Sequence, residues 1–328
     1  MLKDYRVTFV QKEQAELKEC GLDETLKPGQ ILGQNLLSLI STGSERGGFT
    51  QQFRPEQYPM QTGSSSIAKV LAVGEGVTGY KAGDLFYHGE NHTLYVKVDQ
   101  DETVPVPAHA EPEKALFGRY AAVSMTSIYR MRAKPVDKII VTGLGLVGLM
   151  CAQVLTCMGF EVYAVDPSPE RRFIAAQTNL VNIGEKLAVW PELSKKAGGM
   201  LECSGNELAL RDAIPFMRPG SDIFQVGVPW HKTSDWDAHT LLYDLFYSYV
   251  SLHGGWEWYL PKKSTEFEPH GNYYHIRTAM QLIADRKIIV NPEMYELRDP
   301  RDCNKVYSEI AIPRMKPTSM MLDWRNFK

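Results

Sequence analysis

The 328-residue chain is 44% hydrophobic, enough for a sizeable core, and its length suggests about two domains. A net charge of −3 gives no electrostatic case for nucleic acid or an anionic membrane surface. No apolar run approaches the roughly 18 residues that span a bilayer, and the Met-Leu-Lys-Asp-Tyr-Arg-Val start lacks the apolar core of a secretory signal. Cys20, Cys151, Cys157, Cys203 and Cys303 are scattered and form no C-x-x-C pair. They read as buried or free thiols in a reducing cytoplasm, with no cluster for structural zinc.

Helical periodicity is scarce through the first 130 residues. Short β-rich runs at 30–40, 67–73, 84–87, 93–98 and 104–107 are punctuated by glycines spaced as turns, predicting a compact all-β unit. The first helical stretch is 111–132. Strands then alternate with helices: strands at 138–142, 161–165, 200–203, 221–226 and 250–253, and a helix over 207–217 with a stop at Arg218-Pro219-Gly220. That alternation predicts a parallel sheet covered on both faces. Helices follow at 275–286 and 301–310, and a closing strand at 319–324.

The segment from Lys138 to Asp166 is the most informative. A β-branched run leads into Gly143-Leu144-Gly145-Leu146-Val147-Gly148, then an apolar helix, then a second strand ending in Asp166. A Gly-x-Gly-x-x-Gly between strand and helix, with an acid some twenty residues on, is the spacing of a dinucleotide fold. Gly143 permits the tight turn, Gly145 admits a pyrophosphate to the backbone, and Gly148 allows close helix–strand packing. The N–H groups at the helix start, around Leu146 and Val147, attract the pyrophosphate. Asp166 can accept both ribose hydroxyls and would repel a 2′-phosphate, which favours NAD over NADP; Arg171 and Arg172 weaken that preference.

Three further landmarks bring in a family. The loop Ile40-Ser41-Thr42-Gly43-Ser44-Glu45-Arg46 resembles an I-C-G-[ST]-D loop. Tyr58-Pro59-Met60-Gln61-Thr62-Gly63, followed by Val70 to Val77 and Lys81 to Asp84, resembles a "GHE…V-x-x-V-G…G-D" block. Leu201-Glu202-Cys203-Ser204-Gly205, Arg218-Pro219-Gly220 and Gln225-Val226-Gly227 complete the set. The chain is identified as resembling the medium-chain alcohol dehydrogenase/reductase superfamily. The first loop and the Met320-Met321-Leu322-Asp323-Trp324 tail are similar to the branch typified by bacteriochlorophyllide a dehydrogenase. The resemblance implies an α/β architecture: a GroES-like β-rich catalytic domain (1–125 and 272–328) plus a Rossmann doubly wound parallel-sheet domain (126–271).

The family's catalytic zinc ligands fall on Thr42, Ser64 and Arg119, and Ser65 replaces the neighbouring glutamate. Zinc needs thiolate, imidazole or carboxylate, and a guanidinium repels it. A zinc-free member is therefore expected. His88 and His92 read as a surface or cleft pair, not as ligands. Without zinc, another group must stabilise the oxygen at which charge develops. Arg119 either supplies that charge or pairs with an acid such as Glu45. Ser44 falls at the position of the family's proton-relay hydroxyl, or caps its turn. Tyr120 or Tyr58 has the reach of a general acid. His253 is either an acid/base group or a hydrogen-bonded structural histidine. The resemblance also implies cofactor contacts from Cys203, Ser204, Val226 and Gly227, at the carboxyl ends of two strands, and puts Val123 and His253 near the nicotinamide. Ser319 stands where many members have Lys or Arg before the last strand.

Aromatic residues after the nucleotide domain (Trp256, Trp258, Tyr259 and others) with Glu257, His270 and Asn272 suit a polyhydroxylated substrate. The expected activity is zinc-independent, NAD-linked hydride transfer on a sugar- or cyclitol-like alcohol or ketone. A quinone or enone reductase and a catalytically inactive NAD(H)-binding protein remain the alternatives. A homodimer or homotetramer is implied by the resemblance alone.

Overall fold

The computed structural model describes residues 1–52, 57–312 and 319–327. The first two strands, β1 (Leu2–Gln11) and β2 (Gln14–Leu22), form an antiparallel hairpin that the sequence reading passes over. Its turn places Glu13 at φ 58°, so the left-handed position carries no glycine to signal it. Next come β3 (Gln30–Leu39), α1 (Ser44–Thr50), β4 (Met60–Gln61), β5 (Ser66–Val73), β6 (Leu85–His88), β7 (Tyr95–Asp99) and β8 (Thr103–Pro105).

The helical stretch expected over 111–132 is three short helices: α2 (Pro112–Ala115), α3 (Phe117–Val123) and α4 (Met125–Arg130). At the second break the Ser124 hydroxyl donates to the Ala121 carbonyl, competing with the helical ladder. Six strands and four helices follow: β9 (Lys138–Thr142), α5 (Leu146–Cys157), β10 (Glu161–Val165), α6 (Pro169–Ala175), β11 (Asn182–Gly184), β12 (Ala197–Glu202), α7 (Glu207–Ala213), β13 (Met217–Gln225), α8 (Ala238–Ser248) and β14 (Ser251–Gly254). Here the helix expected over 207–217 stops at Ala213, because Pro215 cannot donate to a helical ladder. The expected stop at Arg218-Pro219-Gly220 lies inside β13, where Gly220 takes φ 82°. The chain closes with α9 (Asn272–Ala284), β15 (Tyr295–Arg298), α10 (Cys303–Ala311) and β16 (Ser319–Asp323).

Two compact units result, Met1–Phe117 with Pro292–Lys328, and Gly118–Asn291. The boundaries differ from the expected 125/126 and 271/272: α3 from Gly118 onward and α9 belong to the second unit. In that unit Gly118 explains the closeness of α3 to α9, since a Cβ there would lie 2.6 Å from Met280 Cγ.

The first unit holds a three-stranded sheet in order β2-β1-β4 and a seven-stranded sheet, β15-β16-β3-β5-β6-β8, with β7 paired to β3. Its core gathers Phe9, Phe49, Tyr307 and Trp324. The second unit is a six-stranded parallel sheet, β11-β10-β9-β12-β13-β14. Its inner strand β9 is Ile139-Ile140-Val141 with no exposure, as a sheet covered on both faces requires. Among the described residues no helix is long and apolar enough to cross a membrane.

Candidate functional site

The glycine turn sits where the carboxyl end of β9 meets the start of α5. Its three glycines differ in what surrounds them. Gly143 has φ 82°, and a Cβ there would meet Ser204 at 2.8 Å. At Gly148 a Cβ would fall 1.8 Å from the Gly143 carbonyl oxygen and 3.0 Å from Cys203 Cβ. Gly145 is the open one: a Cβ would meet nothing nearer than the Arg171 guanidinium at 3.9 Å. Helix α5 has no side-chain cap, so its first amides are available to an anion. Leu146 and Gly148 are buried, while Gly145 and Val147 keep some exposure.

Asp166, at the end of β10, is buried at 2% exposure. One carboxylate oxygen accepts from the Leu144 N–H at 2.7 Å and from Arg171 at 3.3 Å; the other accepts from the Ser168 N–H at 2.8 Å. Arg172 instead donates to the Asp166 and Pro167 carbonyls at 2.7 and 2.9 Å. Asp166 is thus built into the turn, with the Arg171 guanidinium beside it.

At the carboxyl ends of the next two strands, Cys203, Val226 and Gly227 are half-buried and Ser204 is exposed. Beneath them lies an acid that sequence reasoning passed over. Glu202 is fully buried and accepts from Thr142, Ser204, Gly205 and Gln225. Burial pushes its carboxyl above the ordinary value against the pull of those donors. The available signal was an acid in the otherwise apolar run Met200-Leu201-Glu202-Cys203.

Arg119 pairs with an acid within its own unit. Its guanidinium makes a bidentate bridge to Glu257 at 2.6 and 2.9 Å, and Trp258 stacks over it at 5.5 Å. Thr126 Oγ1 and Asn272 Nδ2 hold the Glu257 carbonyl at 3.0 and 3.3 Å. Arg130 lies 4.2 Å from the Tyr259 ring. The segment Trp256–Tyr259 is therefore pinned by two arginines, yet Trp256, Trp258 and Tyr259 stay 68%, 48% and 61% exposed. Tyr120 is buried and Val123 half-buried on the same helix.

His253 Nε2 lies 3.0 Å from Asp222 Oδ1, and its ring stacks on Phe224 at 4.8 Å. Asp222 also accepts from three nitrogens of Arg132. Burial raises the Asp222 carboxyl, but Arg132 and His253 together hold it below the usual range.

In the other unit, Glu45 anchors a buried cluster. It accepts from the Ser41 N–H at 2.7 Å, Thr62 Oγ1 at 2.8 Å, His92 Nε2 at 3.0 Å and Tyr307 OH at 2.5 Å. Burial pushes its carboxyl up, but His92, Tyr307 and Ser41 bring it below the ordinary value. His88 and His92 are fully buried, not at a surface or cleft. Each satisfies a neighbour: His88 Nε2 pairs with Asn35 Oδ1 at 2.7 Å, and burial with His92 nearby lowers its pKa to about 3. Ser44 is exposed at the first position of α1 and does not cap it, while Thr42 is half-buried. Tyr58 donates to the Gly48 carbonyl at 2.8 Å, and Ser319 to the Ile40 carbonyl at 2.7 Å. Among the described residues no group of three or more His, Cys, Asp or Glu is placed to hold a metal.

Comparison with known proteins gives a consistent lineage. The family described as "Zinc-binding dehydrogenase" matches residues 147–262. The (R,R)-butanediol dehydrogenase of Bacillus subtilis is 25% identical over 214 residues, 55% of this chain and 62% of that protein. The match thus spans about three-fifths of that relative's length. Galactitol-1-phosphate dehydrogenase from Escherichia coli superposes with TM-score 0.80 at 18% identity, covering 97% of this chain and 99% of that one. Acetophenone reductase from Geotrichum candidum, solved with NAD, gives TM-score 0.79 at 16% identity over 100% and 99% of the two chains. The fold is that of the medium-chain dehydrogenases, and the sequence over 147–262 is similar to the zinc-binding dehydrogenases.

Proposed function

We propose that the protein is an NAD(H)-dependent oxidoreductase that exchanges hydride with a secondary alcohol or ketone and uses no catalytic zinc. The observation that carries the cofactor reading is Gly145, open where its neighbours Gly143 and Gly148 are sealed by backbone. A residue kept free of side-chain and backbone contact at the mouth of a helix suits a pyrophosphate. When bound, the nicotinamide supplies or takes up the hydride. Leu146 and Val147 amides bind the pyrophosphate, and Asp166 with Arg171 holds the adenosine ribose. Val123, Cys203, Ser204, Val226 and Gly227 border the nicotinamide half. The Asp166 carboxylate opposes a 2′-phosphate, which supports NAD over NADP.

Zinc does not suit this donor set, since Thr42, Ser64 and Arg119 replace the three ligands that the family resemblance implies. Arg119 takes over stabilisation of the substrate oxygen, with Glu257 fixing the plane of the guanidinium. Ser44, an exposed hydroxyl able to donate and accept, relays the proton, with Thr42 two residues before it. Tyr120 and His253 are the secondary candidates. Tyr120 is buried, and one ring nitrogen of His253 is committed to Asp222.

The exposed Trp256–Tyr259 aromatics beside Glu257 suit the C–H faces and hydroxyls of a polyhydroxylated substrate. The relatives named for butanediol and galactitol-1-phosphate agree with that class. The uncapped edge strand β14 and exposed Leu242, Tyr243, Phe246 and Tyr247 on α8 suit a homodimer. Five free cysteines suit the cytoplasm. The test is a panel of polyols, cyclitols, simple secondary alcohols and quinones, assayed with metal-stripped protein with and without added zinc. Zinc-independent oxidation of a polyol is expected. Turnover of quinones alone points to the reductase reading, and no turnover with NADH still bound points to a silent NAD(H)-binding protein.

A further inference from the structure

Glu202 is the last residue of β12 and has no exposed surface, so it cannot touch substrate or cofactor. Strand register sets it between Thr142, the last residue of β9, and Gln225, the last of β13. Thr142 Oγ1 donates to its carboxylate at 3.2 Å, Gln225 Nε2 at 2.5 Å, the Ser204 N–H at 2.7 Å and the Gly205 N–H at 2.9 Å; the Ser204 hydroxyl donates as well. Its backbone carbonyl accepts from the Val226 and Gly227 N–H groups at 2.8 and 2.7 Å. One residue therefore ties three strand ends to loops 203–205 and 226–228.

Those loops pack backbone against backbone. A Cβ on Gly227 would lie 2.4 Å from the Gly205 nitrogen, and one on Gly205 2.5 Å from the Val228 oxygen. Ser204 in turn presses on the glycine turn, 2.8 Å from a Cβ at Gly143. A continuous line of contact runs from Glu202 through Ser204 to Gly143. Every partner of the carboxylate is a donor, so the ionised form is the one this cluster accommodates. A buried carboxylate that lost those donors would be costly, which makes the cluster all-or-none.

We infer that Glu202 is a positioning residue: it locks the pyrophosphate turn and the loops on the nicotinamide side into one cradle, and thereby sets cofactor affinity without touching the cofactor. This rests on the dinucleotide reading above. The test titrates wild type, Glu202→Gln and Thr142→Val with AMP, ADP-ribose and NADH, alongside thermal melts. Glutamine would turn an N–H₂ toward donors, so ADP-ribose and NADH are expected to weaken about tenfold or more. AMP, which needs only the adenosine end at Asp166, should stay within about twofold. Thr142→Val keeps the carboxylate and removes one donor; it should weaken NADH about threefold and leave AMP alone, and it carries the test if Glu202→Gln does not fold. Unchanged NADH affinity in the folded variants, or AMP falling in step with NADH, overturns the positioning role. Wild type that binds none of the three ligands removes the dinucleotide reading, and the positioning role with it.

Discussion

Substituting alanine at two glycines of the same turn should separate binding from folding. Gly145 has φ −72° and ψ −168°, ordinary extended backbone, and its Cβ would sit 3.9 Å from the nearest atom. Gly145→Ala should therefore fold normally, with stability changed by no more than about 1 kcal/mol, and any change in the direction of a gain. The added methyl would occupy the approach of the pyrophosphate. Displacing that group by a bond length costs charge-assisted hydrogen bonds of about 1.5–3 kcal/mol each, so NADH should weaken at least about tenfold. Gly148→Ala should do the reverse. A methyl 1.8 Å from the Gly143 oxygen is more than an ångström inside contact distance, and that neighbour is backbone, which cannot swing aside. Overpacking of this kind costs about 1–3 kcal/mol, and the backbone clash puts it near 3. At about 2–4 °C per kcal/mol for a unit of this size, the melting temperature should fall roughly 6–12 °C. Thermal melts and NADH fluorescence titration read both effects. Gly145→Ala with wild-type NADH affinity, or Gly148→Ala as stable as wild type, would refute the reading of the turn.

The Arg119–Glu257 bridge is mostly buried, at 12% and 21% side-chain exposure. Arg119→Ala should cost about 2–4 kcal/mol of stability, and a double-mutant cycle with Glu257→Ala should show coupling of about 1 kcal/mol or more, measured by denaturant unfolding. Glu45 has its pKa lowered from an unfolded value of 4.5. The stability it contributes is present above pH 4.5 and lost as pH falls through the lower folded value; Glu45→Gln should flatten that acid limb in unfolding curves between pH 3 and 6. Asp166→Asn keeps an acceptor for the Leu144 N–H but removes the charge, so the NADPH-to-NADH affinity ratio should rise about tenfold.

Much of the second unit was legible because its signals are local. The strands 138–142 and 161–165 coincide with β9 and β10, and the glycine spacing marks the turn between β9 and α5. What escaped depended on long-range partners or on missing punctuation. The β1–β2 hairpin turns on Glu13 with no glycine to announce it. Pro215 ended a helix that a later Pro-Gly pair was expected to end. Arg119 was recognisable as displaced from its family role, but its partner lies 138 residues away, so Glu257 could not be chosen over Glu45 from sequence. His88 and His92 are polar residues at four-residue spacing, which suggests a surface. They are buried because Asn35 and Glu45, remote in sequence, supply their hydrogen bonds. Glu202 was hidden inside a motif read for its loop.

The central claim is zinc-independent hydride transfer between a secondary alcohol and NAD. Its most direct measurement incubates metal-stripped protein with NAD and a polyol deuterated at the carbinol carbon, then weighs the reduced cofactor by mass spectrometry. The account predicts one deuterium in the NADH formed, with no change in rate on adding zinc. Label that reaches the cofactor only after zinc is restored, or reaches NADPH in preference to NADH, would contradict it.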